Sequence, residues 1–66
     1  MSDYVERMKV EHLDLSEKVR KLSDYIDGPY FHAIGKDAQD LLVEQRYFMC
    51  GYLEVLAKRL ARICEV

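Results

Sequence analysis

The feature that most constrains this chain is a mainly apolar stripe at spacings of three and four residues, present twice, with one glycine–proline break between the two runs. The first run is Val5, Met8, His12, Leu15, Val19, Leu22 and Ile26. With 3.6 residues per turn, that spacing places all of them on one face of an α-helix, where a half-buried strand would need strict alternation. Ser2 and Asp3 both suit an N-cap, and Asp3 followed three residues later by Glu6 resembles a capping box. Asp27-Gly28-Pro29 ends the run, because glycine accepts a left-handed residue past the last turn and proline cannot continue the helix. A first helix is expected over about 3–27.

Tyr30 to Gly35 then form a short connector, with Phe31 and Ile34 expected to plug the end of the hairpin. Asp37 is the expected N-cap of a second helix over about 37–65. Its stripe is Leu42, Gln45, Met49, Leu53, Leu56, Leu60 and Ile63. Gln45, alone among apolar neighbours, is expected to make a buried hydrogen bond across helices. A connector this short folds the helices back on each other, so the expected fold class is all-α, an antiparallel two-helix hairpin.

Two helices cannot bury everything apolar here. Leu41, Phe48, Tyr52, Val55 and Val66 form a second stripe, about 80–100° around the second helix from the first. Val10 and Leu13 lie opposite the main stripe of the first helix, and Gly51 in mid-helix suggests close approach of another backbone. A chain of 66 residues is one domain at most, 1–66, and buries only about 60% of its unfolded surface. Together these features predict a homo-oligomer, since self-association covers such patches symmetrically.

Composition narrows the function classes. Half of the residues are hydrophobic and 33% are charged, which excludes intrinsic disorder. Ten Lys and Arg against twelve Asp and Glu leave a net charge of −2, without the footprint of a protein that grips polymeric nucleic acid. Charges through Met1 to Val10 interrupt any targeting core, and no apolar run approaches the ~20 residues of a membrane span, so a cytoplasmic location is expected. Cys50 and Cys64 stand about 21 Å apart along one helix, too far for a disulfide, and are read as free packing thiols. His12 and His32 have no second ligand at metal spacing, and neither a metal site nor a cofactor site is expected. Without a nucleophile–base pair, a glycine-rich phosphate loop or paired carboxylates in a cleft, the residues point to binding and away from catalysis.

The hairpin brings Tyr4, Arg7 and Lys9 toward Lys58, Arg59 and Arg62 at its open end. Along the first helix Tyr4, Arg7, Glu11 and Lys18 fall within about 60° of one another beside the apolar stripe, where they can edge a groove. A phenol ring offers stacking to a base, and Lys and Arg offer charge to phosphate. Tyr4 and Lys18 are about 21 Å apart along the helix. One small ligand therefore reaches both only if they come from different protomers.

Nearly the whole chain resembles a family of very short phage proteins. The likeness runs through Tyr4-Val5-Glu6-Arg7-Met8, Leu15-Ser16-Glu17-Lys18, Lys21-Leu22, Phe31, Leu41-Leu42, Gln45, Met49, Tyr52 and Leu56 to Arg59. It is similar to the helical hairpin domain of the anti-CBASS cyclic-nucleotide sponges, which Thoeris anti-defence sponges also carry. The resemblance implies a compact all-helical hexamer that sequesters cyclic dinucleotides such as cyclic GMP-AMP at protomer interfaces, uncleaved, in the cytoplasm of the infected bacterial host; with the apolar stripes, the expected homo-oligomer is a dimer or a hexamer. It also implies base stacking by Tyr4 and phosphate pairing by Lys18; Arg7, on the same flank of the helix, is expected to assist them. A cyclic-trinucleotide site that uses threonine and arginine in some members meets Arg20 and Arg59 here. A different class of function is a small helical oligomer that binds and inhibits a host protein through its extra apolar stripe.

Overall fold

The computed structural model describes residues 2–64, less the side chains of Ser2 and Cys64. It is a helical hairpin: α1 spans Ser2–Asp27, a short 3-10 turn spans Phe31–Ala33, and α2 spans Lys36–Cys64. The molecule measures 48 × 14 × 14 Å, a rod two helices wide. Both expected helices form. The capping role of Ser2 and the packing of Cys64 and Val66 lie outside the described residues, as does Glu65 at the end of the second helix.

The seam between the helices follows the two sequence stripes. Met8 and Leu56 are buried, Leu56 completely, while Val5, His12, Leu15, Val19, Leu22 and Ile26 of α1 are half-buried against Leu42, Met49, Leu53, Leu60 and Ile63 of α2. Gln45 is a correction. It is exposed, and its amide reaches only the sulfur of Met49, one turn along in its own helix, at 3.7 Å. An amide that can turn to water has no reason to desolvate without a partner across the seam.

The ends of the connector also differ from expectation. None of the three glycines has a positive φ, so Gly28 is not a left-handed cap. Its N–H donates instead to the Tyr25 carbonyl at 3.1 Å, tightening the last turn, and a Cβ on Gly28 would lie 3.1 Å from the carbonyl oxygen of Asp24. Glycine is used there for closeness. α2 starts one residue ahead of Asp37, which sits in its first turn and favours the positive end of the helix dipole. The Gln39 side chain donates to the Ile34 carbonyl at 2.8 Å and the Gln39 backbone N–H to Gly35 at 3.0 Å, fixing the entry to α2. Phe31 plugs the hairpin end as expected, buried against the ring edges of Tyr25 and His32 with centroids 6.5 and 5.5 Å away.

The remaining apolar surface stays outside. Leu13 is 68% exposed, Leu41 65%, Phe48 62% and Val55 52%, and Val10 is exposed with them. Cys50 is a free, exposed thiol, so it does not pack within the chain. Among the described residues, nothing beyond the neighbouring backbone of its own helix comes within 4 Å of a Cβ built on Gly51. The backbone approach expected there is therefore not made within one hairpin.

Candidate functional site

The antiparallel fold sets one flank of α1 beside one flank of α2 and leaves a shallow groove between them. Toward the open end, a concavity of about 210 Å³ is lined by Tyr4, Arg7, Met8, Glu11 and Arg59. The next, of about 380 Å³, is lined by Arg7, Val10, Glu11, Asp14, Leu15, Lys18 and Tyr52. Arg7 and Glu11 belong to both, so the two form one continuous trough. Its floor carries Met8 and Leu15, members of the apolar stripe, and its walls carry the charges.

The positions follow from helical spacing. Tyr4, Arg7, Glu11, Asp14 and Lys18 recur every three or four residues on α1, and Tyr52 and Arg59 are two turns apart on α2. Two side-chain hydrogen bonds span the trough: Arg59 Nη2 donates to the Tyr4 hydroxyl at 3.2 Å, and the Tyr52 hydroxyl donates to the Glu11 carboxylate. Three cations, Arg7, Lys18 and Arg59, against two carboxylates, Glu11 and Asp14, leave one net positive charge. A trough of this kind offers an aromatic face, separate cationic donors and an apolar floor, which suits a flat ring bearing anionic groups.

Tyr4, Arg7 and Arg59 come together as the sequence led one to expect, and Lys18 lines the other end of the same trough. The rest of the expected basic cluster does not join them. Lys9 lies 3.9 Å from Glu6, and Lys58 and Arg62 are exposed outside the groove lining. Arg20 sits apart as well, paired with Glu17 and, at 3.1 Å, with Asp24. The hydrogen bond and charge of Arg20 hold the Glu17 carboxyl below its ordinary range, and Glu17 raises Arg20 in return. Asp14, and Tyr52 as a partner of Glu11, were not anticipated. The signal for Tyr52 was present in the antiparallel register, which sets it opposite Glu11.

Among the described residues no group of His, Cys, Asp and Glu could hold a metal ion, and no helix is long and apolar enough to cross a membrane. No solved structure gives a significant match. A protein of Enterobacteria phage T4, described as an uncharacterized 7.5 kDa protein in the denB-rIIB intergenic region, is 34% identical over 62 residues, covering 94% of this chain and 97% of its own length. The Sequestin profile, a name that denotes sequestering, matches residues 2–62. With a fold and a groove consistent with capture of a small partner, the chain belongs to the Sequestin family.

Proposed function

We propose that this protein is a phage immune-evasion factor, one that binds and sequesters the cyclic dinucleotide messengers of bacterial anti-phage defence and returns them uncleaved. The observation that carries the reading is the meeting of Tyr4, Arg7 and Arg59 in one concavity, with Lys18 along the same trough. A purine presents a face to the phenol ring and its phosphates present charge to the guanidinium and ammonium groups. The family name and the phage relative support sequestration in an infected cell. The working place of the protein is then the cytoplasm of the bacterial host.

In this reading the 1–66 hairpin is a single domain that works as a homo-oligomer, a dimer or a hexamer. Along α1 about 21 Å separates Tyr4 from Lys18, so a compact ligand draws Tyr4 from one protomer and Lys18 from another. The exposed stripe of Leu41, Phe48 and Val55 supplies the contact between protomers, and the open space at Gly51 admits a neighbouring helix. Arg20, held by its two carboxylate neighbours on another face, contributes nothing to this dinucleotide site.

A thermal-shift titration with 3′,3′-cyclic GMP-AMP tests the function. A ligand at about 100 times its Kd adds about 2.7 kcal/mol to stability, which raises the melting temperature clearly. Denaturing the complex and chromatographing the supernatant should return the cyclic compound intact. No shift across cyclic dinucleotides, or a linear product beyond a stoichiometric trace, overturns the reading. The exposed Tyr47–Phe48 ring pair, with centroids 5.3 Å apart, favours a second reading in which the face binds and inhibits a host protein. Absence of any nucleotide response would shift the weight to it.

A further inference from the structure

Among the described residues, two side-chain hydrogen bonds pass from one helix to the other, and both end on groove residues of α1. The one from Arg59 ends on the Tyr4 hydroxyl. Tyr4 lies in the first turn of α1, where backbone N–H groups have no acceptor within the helix and local opening is easiest. A ring there loses its plane whenever the turn frays. Stacking on a base needs that plane held, and holding it before the ligand arrives removes an ordering cost from binding.

Arg59 is placed to do this. It rises from the body of α2, three residues beyond the completely buried Leu56, so its backbone is anchored in the best-packed part of the seam. It grips Tyr4 by the hydroxyl, at the ring's far edge, while the tyrosine stays 54% exposed and keeps a face open to the trough. The neighbouring Arg7 lines both concavities and makes no ion pair among the described residues, so a cation for the ligand's phosphate is present without Arg59. We propose that Arg59 is a positioning residue, which sets the Tyr4 ring for stacking through the hydroxyl and leaves phosphate pairing to Arg7 and Lys18. This rests on the proposed stacking of Tyr4 on a cyclic dinucleotide.

The test is a double-mutant cycle on the full chain with Tyr4→Phe, Arg59→Met and both together, each first shown by sizing to keep the parent's assembly. Calorimetric titration with 3′,3′-cyclic GMP-AMP is run at low and high salt. Each single variant should bind about 3- to 10-fold more weakly, the effect of one lost hydrogen bond. The double variant should be no weaker than the weaker single, because both remove the same contact. Arg59→Met should keep the parent's salt dependence, since no phosphate pair is lost. In the free protein, NMR relaxation of a labelled Tyr4 ring should show added motion in Arg59→Met. If Tyr4→Phe binds like the parent while Arg59→Met is weak, or if the two losses multiply, Arg59 acts on the ligand itself and the positioning role is overturned. A parent that binds no cyclic dinucleotide removes the proposed function and this role with it. A binding parent with the wrong variant pattern removes this role alone.

Discussion

The Tyr52 hydroxyl donates to the Glu11 carboxylate, and the two residue numbers add to 63, as do those of Arg59 and Tyr4. The same offset between the helices therefore recurs two turns apart along this flank of the hairpin. Tyr52→Phe should lower stability by about 0.5–1.5 kcal/mol, the net value of one hydrogen bond, as read by urea unfolding. Glu11→Gln keeps an acceptor for Tyr52 and removes one of the two carboxylates in the trough. It should bind cyclic GMP-AMP more tightly than the parent, by about 2- to 5-fold at low salt, because the remaining charges repel phosphate less. Weaker binding by Glu11→Gln would mean that the carboxylate contacts the ligand.

Leu56 is the completely buried residue of the seam. Leu56→Ala should cost about 2–5 kcal/mol through lost burial and a residual cavity. In a rod two helices wide, that is enough to unfold much of the population at room temperature. Circular dichroism at 222 nm, followed on heating, checks it. Leu13→Ala, at an exposed position, should leave the free hairpin unchanged and matter only where protomers meet.

Much of this fold was legible in the sequence because both stripes keep the helical period through their full length, and a Gly-Pro break admits one interpretation. What was not legible is instructive. Gln45 sits at an apolar register position, yet spacing cannot tell whether an amide at the edge of a seam faces a partner or water, and here it faces water. Gly28 has the sequence signature of a left-handed cap, but glycine also serves where a carbonyl comes too close for a Cβ, which periodicity cannot distinguish. At the site, Tyr4, Arg7 and Lys18 share a flank that helical spacing reveals. The partners Arg59 and Tyr52 depend on register between helices, which the length and path of the connector set.

Phe48 and Val55 stand one beyond the other along the exposed face of α2. Replacing both with Asp should dissociate the proposed homo-oligomer, since each carboxylate would have to be desolvated in an apolar contact. Sedimentation velocity should show a shift from a single larger species to the 7.8 kDa chain, with reduced helix content as the uncovered hairpin loses support. A parent that already sediments as a stable 7.8 kDa monomer would refute self-association.

The Glu17–Arg20 pair gives α1 a small acid dependence. Arg20's hydrogen bond and charge hold the Glu17 carboxyl below its ordinary 4.5. A folded value below the unfolded one means that the contribution is complete above about pH 4.5 and fades as the pH falls through the lowered value. The pair is exposed, so the effect is modest. Thermal melts of the parent and Glu17→Gln should differ near neutrality and converge in acid. Melts that stay parallel down to the acid range would show that the pair adds nothing.

Tyr4 and Lys18 carry the most direct test of the site. They share one flank of α1 but stand at opposite ends of the trough, so the proposed ligand joins two protomers and needs one residue from each. Tyr4→Ala removes the stacking face and should weaken cyclic GMP-AMP binding by about 1–3 kcal/mol, independently of salt. Lys18→Ala should cost a similar amount at low salt and progressively less as salt rises, because its share is an ion pair with phosphate. Mixing the two variants tests the geometry itself. A hetero-oligomer assembled from Tyr4→Ala and Lys18→Ala chains regenerates some interfaces with an intact tyrosine facing an intact lysine, so a fraction of the sites should bind like the parent. Calorimetry of the refolded mixture should then show a tight class of sites that neither variant has alone. If the mixture binds no better than the single variants, Tyr4 and Lys18 do not meet across an interface. If both alanine variants bind like the parent, the ligand lies outside this trough.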